Sequence, residues 1–88
     1  MEKLEKVRFV ISLLERTIAN EQEAQKSLEK WPDIDSEQDE LLKAAWHDLS
    51  HFAADSDIRQ RDKGYAESQT DLLRQHVKSI RAKYEFGK

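Results

Sequence analysis

Residues 4–18 of the chain read LEKVRFVISLLERTI, and their apolar side chains recur three and four positions apart. The stripe consists of Leu4, Val7, Ile11, Leu14 and Ile18. Because a helix turns once in about 3.6 residues, this spacing puts the stripe on one face and predicts an amphipathic helix. Further along, the same register passes through Glu21 and Gln25, so we expect the packing to loosen past Ala19.

Two further segments repeat the helical spacing. The second stripe is Leu42, Ala45, Trp46, Leu49, Phe52 and Ala53, with Trp46 expected to pack at the flank of the core face. The third is Tyr65, Gln69, Leu72, Leu73, His76, Val77, Ile80 and Tyr84. Trp31-Pro32 ends the first helix, because a proline disfavours helical geometry in the residue before it and lacks a donor. Asp33, Asp35 and Ser36 are candidate N-caps for the second helix, and Asp62 for the third. The patterns predict helices at about 3–30, 36–55 and 63–84, with a kinked or turn segment near 55–62.

Three helices with short connections predict an all-α fold, a small antiparallel three-helix bundle in a single domain spanning residues 1–88. The first helix would be about 40 Å long and the other two about 30 Å, so its end would overhang. Either the segment between the second and third helices covers that overhang, or a second copy pairs with it. Trp31 is expected either as an anchor at this exposed edge or as a cap on the overhanging end.

Composition narrows the class of protein. The chain has no cysteine, which excludes disulfides and thiolate metal sites and favours a cytoplasmic location. No run approaches the roughly 18 apolar residues of a membrane span. Residues 1–9 alternate acids and bases, where a signal peptide needs a basic start and an apolar block. We expect a small, soluble, untargeted protein that makes no contact with membranes.

Charge is distributed unevenly along the chain. Residues 31–57 carry eight acids and one base, whereas residues 58–88 carry eight bases and four acids, so the two segments should attract. The acidic stretch Asp33, Asp35, Glu37, Asp39 and Glu40 can stabilise a helix N-terminus and is also available to a basic partner. Arg59 and Arg61, which follow the acidic segment, are predicted to form ion pairs with it. A pI near 5.6 argues against nucleic-acid binding, despite the cations of the last helix.

Residues 47–51 read His-Asp-Leu-Ser-His, with two imidazoles one helical turn apart. This spacing is that of the H-E-x-x-H metal motif, but Asp48 stands where the motif has its catalytic glutamate. Because Leu49 must face the core, both histidines point the other way. They are then solvated, or part of an interface, or metal ligands. Small Ala44 and Ala54, with Ile58 nearby, favour the interface over the metal.

These patterns together predict a non-catalytic cytoplasmic module that binds another protein, in a regulatory or inhibitory role, with a basic partner or a second copy in a homodimer. No cofactor is expected. The predicted contact residues are Trp31, Asp33, Asp35, Glu37, Asp39, Glu40, Ala44, His47, His51 and Ile58. The alternative is a metal-binding protein or metal-dependent enzyme centred on His47, His51 and Asp55, with His76 as a further ligand.

Overall fold

The computed structural model describes residues 2–84 and contains no strand within that range. The helices are α1 (Lys3–Ala19), α2 (Ala24–Lys30), α3 (Glu40–Ala54), α4 (Ser56–Arg61) and α5 (Lys63–Tyr84), with a short 3-10 turn (Glu21–Glu23) before α2. The prediction of an all-α fold is confirmed. A three-helix bundle is not confirmed, because residues 2–84 contain five α-helices. Within residues 2–84, no helix is long and apolar enough to cross a membrane.

The predicted first helix is wrong past Ala19, because the chain reverses direction at Asn20. Asn20 is extended (φ −150°, ψ 105°), and its side chain accepts a hydrogen bond from the Gln22 N–H at 3.0 Å. After the turn, α2 folds back along α1. The Thr17 hydroxyl donates to Ser27 Oγ at 2.9 Å, and both side chains are buried. Two helices in a hairpin therefore replace one long rod.

The hairpin removes the predicted overhang and, with it, the reason to expect a second copy there. Trp31 does end α2, with ψ of 135°, as the following proline requires. Its side chain, however, is only 9% exposed and belongs to the core, where α2 packs against α3. The expectation that Trp31 lies at an exposed edge, ready for a partner, is wrong because the reversal at Asn20 turns α2 inward.

The later boundaries agree better with the sequence. The second helix begins at Glu40 rather than near residue 36, because Asp39 is its N-cap: Asp39 Oδ1 accepts the Leu41 N–H at 2.8 Å. The predicted kink lies at Asp55, between α3 and α4. Asp62 caps α5 by accepting the Tyr65 N–H at 3.1 Å, as predicted.

The core lies where α1, α3 and α5 meet. Its fully buried side chains include Val7, Val10, Leu13, Leu14, Leu42, Ala45, Leu49, Phe52, Leu73 and Ile80. Leu4 and Leu72 were predicted in the buried stripes, but they are 51% and 40% exposed. Three side-chain contacts show that α3 and its flanks run antiparallel to α5: Asp39 with Lys83, Asp48 with His76, and Asp55 with Gln69.

Candidate docking face on α3

The buried stripe of α3 fixes which way its two histidines point. Leu49 is fully buried, so His47 and His51 lie on the exposed side of the helix. Their ring centroids are 4.6 Å apart and the rings meet edge to face at 74°. The two imidazoles therefore form one exposed patch a single turn long.

The third residue of the alternative metal site is turned elsewhere. Asp55 Oδ2 accepts hydrogen bonds from the Tyr65 hydroxyl at 2.7 Å and from Gln69 Nε2 at 3.1 Å. Its carboxylate thus ties the α3–α4 kink to α5 and does not join the imidazoles. Throughout residues 2–84, no group of three or more histidine, cysteine, aspartate or glutamate side chains is placed to hold a metal ion.

The remaining histidine is also engaged. His76 Nε2 lies 2.5 Å from Asp48 Oδ2, and both side chains are largely buried between α3 and α5. Asp48 is the residue that replaces the glutamate of the metalloprotease spacing. Its carboxylate contacts α5 from α3. The residue at the position of the general base therefore has a structural role here.

An open groove of about 470 Å³ runs along the outward side of α3. It is lined by Ile34, Glu40, Lys43, Ala44, Trp46, His47 and Asp48, and is called the α3 groove below. Ile34 and Trp46 are half-buried and pack against the core, so they form a fixed apolar floor. Of the predicted contact residues, Ala44, His47 and Glu40 meet here, while His51 and Ile58 lie outside the lining, although both are exposed.

The acidic stretch divides into an engaged and an exposed set. Glu37 is buried: Lys6 Nζ lies 2.7 Å from its Oε1, and its Oε2 accepts the Asp39 N–H at 2.9 Å. Burial raises the pKa of Glu37, but the Lys6 ammonium and this N–H favour the carboxylate more, so the pKa falls below 4.5. Asp33, Asp35 and Glu40 remain exposed.

Asp39 is the most tightly held carboxylate. Its Oδ2 accepts the Tyr84 hydroxyl and lies 3.0 Å from Lys83 Nζ and 3.4 Å from Lys3 Nζ, so both ends of the fold meet on it. Burial raises the pKa of Asp39, but Tyr84, Lys83 and the Leu41 N–H outweigh it and hold that pKa far below 3.8. Asp39 and Glu37 were predicted to be available to a partner. Their contacts make them internal anchors instead.

One buried cation is not apparent from charge patterning alone. Arg59 is 5% exposed, with its guanidinium 3.7 Å from the centroid of the Phe52 ring. It donates to the Phe52 carbonyl and to Gln69 Oε1 at 2.9 Å, and lies 3.5 Å from Glu21. The signal was its phase: Arg59 follows Phe52 by seven residues and so continues the buried stripe.

Arg61 behaves as an ordinary surface residue. Its pairing with Asp57, 3.7 Å away and one turn earlier on α4, is the kind of ion pair expected from the sequence.

Comparison of the chain with protein-family models, curated proteins and solved structures finds no match. The case for a function therefore depends on this geometry alone.

Proposed function

We propose that the chain is a non-catalytic binding module that holds a basic amphipathic segment of a partner protein in the α3 groove. The observation that carries the proposal is the groove itself. Ile34 and Trp46 form its apolar floor, and the small side chain of Ala44 leaves room beside them on the face of α3. Partner helices commonly lay an apolar face into such grooves. Interfaces are also enriched in tryptophan, which Trp46 supplies.

The charges around the α3 groove favour a basic occupant. Glu40 lines it, and Asp33 and Asp35 flank Ile34 in the chain with their side chains exposed. Among the residues that line the groove, Lys43 is the cation that opposes them, and its pair with Glu40 at 3.5 Å is exposed and therefore weak. Exposed carboxylates beside an apolar floor attract lysine or arginine beside leucine-like side chains.

The titratable groups that could have served catalysis support a binding role. Asp55 and Asp48 hold α5, and Asp39 anchors the two ends of the fold. Ser50 donates to the His47 carbonyl at 2.9 Å, as a helical serine commonly does. A nucleophile would need a base and an oxyanion site beside it.

The cytoplasmic location remains part of the proposal, because a cysteine-free chain suits a reducing compartment.

The test uses a dye-labelled helical peptide of about 18 residues, with leucine at three- and four-residue spacing and lysine elsewhere. Fluorescence anisotropy should report saturable binding that weakens as salt rises from about 0.1 to about 0.5 M. Ala44→Arg fills the groove and adds a positive charge, so it should weaken binding about tenfold or more. Ala54→Arg is the matched control on the same helix, exposed but outside the lining. Equal affinity of the two variants would contradict the proposal.

A homodimer through the same face is the second form of this proposal. Light scattering at tens of micromolar separates it from a module that waits for another protein. A mass near that of one 10.4 kDa chain excludes the homodimer and leaves the α3 groove free for the peptide.

The exposed histidine pair favours a second candidate, a metal-binding protein. His47 and His51 stand one turn apart with their rings adjacent, which supplies half of a tetrahedral zinc site. If it binds metal, added Zn²⁺ should raise the unfolding temperature of the wild type by several degrees. His51→Ala should abolish that rise, whereas His76→Ala, which removes an imidazole facing Asp48, should keep it. An unfolding temperature of the wild type that does not change when Zn²⁺ is added would eliminate the metal-binding function.

A further inference from the structure

A second groove lies on a different side of the molecule, between the end of α1 and the outer face of α5. It exists because the chain turns away at Asn20, so that α1 does not continue along α5. Its volume is about 420 Å³, and its surface is mainly apolar, with Ile18, Ala19 and Val77 as the floor. It is called the α1–α5 groove here.

Three cations border the α1–α5 groove. Arg74, Lys78 and Arg81 stand on successive turns of α5, so their heads form one row along the edge. Arg81 lies 3.0 Å from Glu15 on the opposite wall, in an ion pair that is exposed and weak. Lys78 is exposed and has no ion pair among residues 2–84. Arg74 also has an exposed partner, Asp71, 2.6 Å away and one turn earlier on α5. The lining of the groove carries three positive charges against one negative, Glu15, and with Asp71 counted the edge is still net positive.

We infer that the α1–α5 groove binds an acidic amphipathic helix of a partner protein. The apolar floor accepts leucine-like side chains, while carboxylates one turn apart on the incoming helix meet Arg74, Lys78 and Arg81. Such a helix would lie on the side of α5 that the turn at Asn20 leaves without α1. Single-stranded nucleic acid would require aromatic side chains for its bases to stack on, and Ile18, Ala19 and Val77 provide none.

The inference is independent of the α3 groove, because the two grooves share no residue and their charges are opposite. The same chain could then hold two partners of opposite charge. Ala44→Arg, which blocks the α3 groove, should leave the α1–α5 groove unaffected. Failure of one proposal is therefore visible separately from failure of the other.

The probe is a dye-labelled helical peptide of about 18 residues, with leucine at three- and four-residue spacing and glutamate elsewhere. The full chain should bind it saturably in fluorescence anisotropy. Lys78→Glu should weaken that binding about fivefold, because a favourable charge becomes repulsive. Lys30→Glu is the matched control: Lys30 is also exposed and without an ion pair among residues 2–84, but it lies at the end of α2.

A second variant tests the floor without altering charge. Ala19→Trp fills the α1–α5 groove at an exposed position and should abolish peptide binding while circular dichroism stays helical. Equal loss in Lys78→Glu and Lys30→Glu would overturn the inference. So would binding of a labelled single-stranded oligonucleotide in place of the peptide. A 20 kDa mass that Ala19→Trp converts to about 10 kDa would also overturn it, because a second copy would then be the occupant.

Discussion

Arg59 is a charged residue that nevertheless belongs to the buried interior of the fold. Its guanidinium packs on the Phe52 ring and joins α4 to α5 through Gln69. Arg59 was predicted to form an ion pair with the acidic segment, residues 31–57, but its ion pair is with Glu21. The burial could have been predicted from its phase relative to Phe52. The distance from Glu21 depends on the turn at Asn20, which local patterns did not indicate.

Substitution of Arg59 by alanine should therefore be costly. It removes a desolvated cation, its stacking on Phe52 and the partner of Gln69, so the free energy of unfolding should fall by about 2–4 kcal/mol. Arg61→Ala is the control, because Arg61 is 77% exposed and should lose less than about 0.5 kcal/mol. Urea denaturation followed by circular dichroism measures both. Comparable losses would mean that Arg59 is no more important than a surface residue.

The buried carboxylates of Glu37 and Asp39 should make the stability of the fold depend on pH. The pKa values of Asp39 and Glu37 are lowered in the folded state, so the unfolded chain binds more protons as the solution is acidified. Their contribution is complete well above the ordinary values of 3.8 and 4.5 and is lost as pH falls. The free energy of unfolding should be nearly constant from about pH 7 to about pH 5 and then decrease.

Asp39→Asn isolates this effect, because an amide cannot titrate. Its free energy of unfolding should be lower than that of the wild type at pH 7, and the difference should shrink below about pH 4. Asp35→Asn is the matched control in the same loop, since Asp35 is exposed. Urea denaturation between pH 3 and pH 7 measures all three proteins. A difference between wild type and Asp39→Asn that is the same at every pH would rule out the assigned role of Asp39.

At the level of single helices, α5 illustrates what periodicity can and cannot decide. The sequence placed Leu72 and Leu73 in one apolar stripe, and the helix bounds were predicted correctly. Only the packing partners select the buried face: α1 and α3 cover Leu73, which is 1% exposed, while Leu72 is 40% exposed. Two adjacent leucines on a helix differ by about 100° in direction, so they cannot both face the same neighbour.

This pair provides a matched test of the orientation of α5. Leu73→Ala should lower the free energy of unfolding by about 2–5 kcal/mol, because it leaves a cavity in the core. Leu72→Ala should lower it by less than about 1 kcal/mol, because most of that side chain already contacts solvent. Thermal or urea unfolding distinguishes the two. The reverse order would show that α5 is rotated relative to this account.

The α1–α2 hairpin is the element that the sequence predicted least well. The signals were present: Asn20 is a good N-cap, and Glu23 three residues later completes the usual capping pattern. The apolar stripe nevertheless resumes at Leu28, so periodicity favoured one continuous helix. What stabilises the reversal is the buried contact between Thr17 and Ser27. That contact is tertiary, and no pattern along the chain specifies it.

A distance measurement tests the hairpin directly. Because the chain has no cysteine, Glu5→Cys and Glu29→Cys would provide two unique spin-label sites, and both positions are exposed. A continuous helix would place these positions about 36 Å apart. The hairpin should bring them within about 25 Å, since packed helices lie about 10 Å apart. Pulsed electron paramagnetic resonance gives the value, and a distribution centred on the longer distance would refute the reversal.

Across the whole molecule, the attraction between the acidic segment (residues 31–57) and the basic segment (residues 58–88) was predicted, but only some of the contacts between them were. The acidic and basic segments do attract, through the ion pair of Asp39 with Lys83, and Asp48 and His76 add a polar contact between the same two segments. Composition alone could not say which acids these contacts would engage, because that depends on where the loop before α3 meets the ends of α1 and α5. Glu37 and Asp39 are engaged, so fewer acids remain for a partner. Of the exposed acids, Glu40 lines the α3 groove, and Asp33 and Asp35 flank its lining residue Ile34 in the chain.

The candidate site depends partly on local helix periodicity, which the sequence contains, and partly on a tertiary contact, which it does not reveal. The exposed side of α3 follows from the phase of Leu49, and the sequence sufficed to place His47 and His51 there. The groove additionally needs Ile34, which the loop brings beside α3. Helix periodicity gives no information about such a loop position. The sequence therefore indicates the correct helix face but not the residues that make it concave.

Amide NMR spectra can show residue by residue whether the α3 groove binds a basic amphipathic helix. The isotope-labelled chain is titrated with the lysine–leucine peptide, and shift changes are followed residue by residue. We expect saturable changes centred on Ile34, Ala44 and His47, which Ala44→Arg suppresses and Ala54→Arg does not. Changes spread evenly over the exposed acids, or centred on another face, would contradict it.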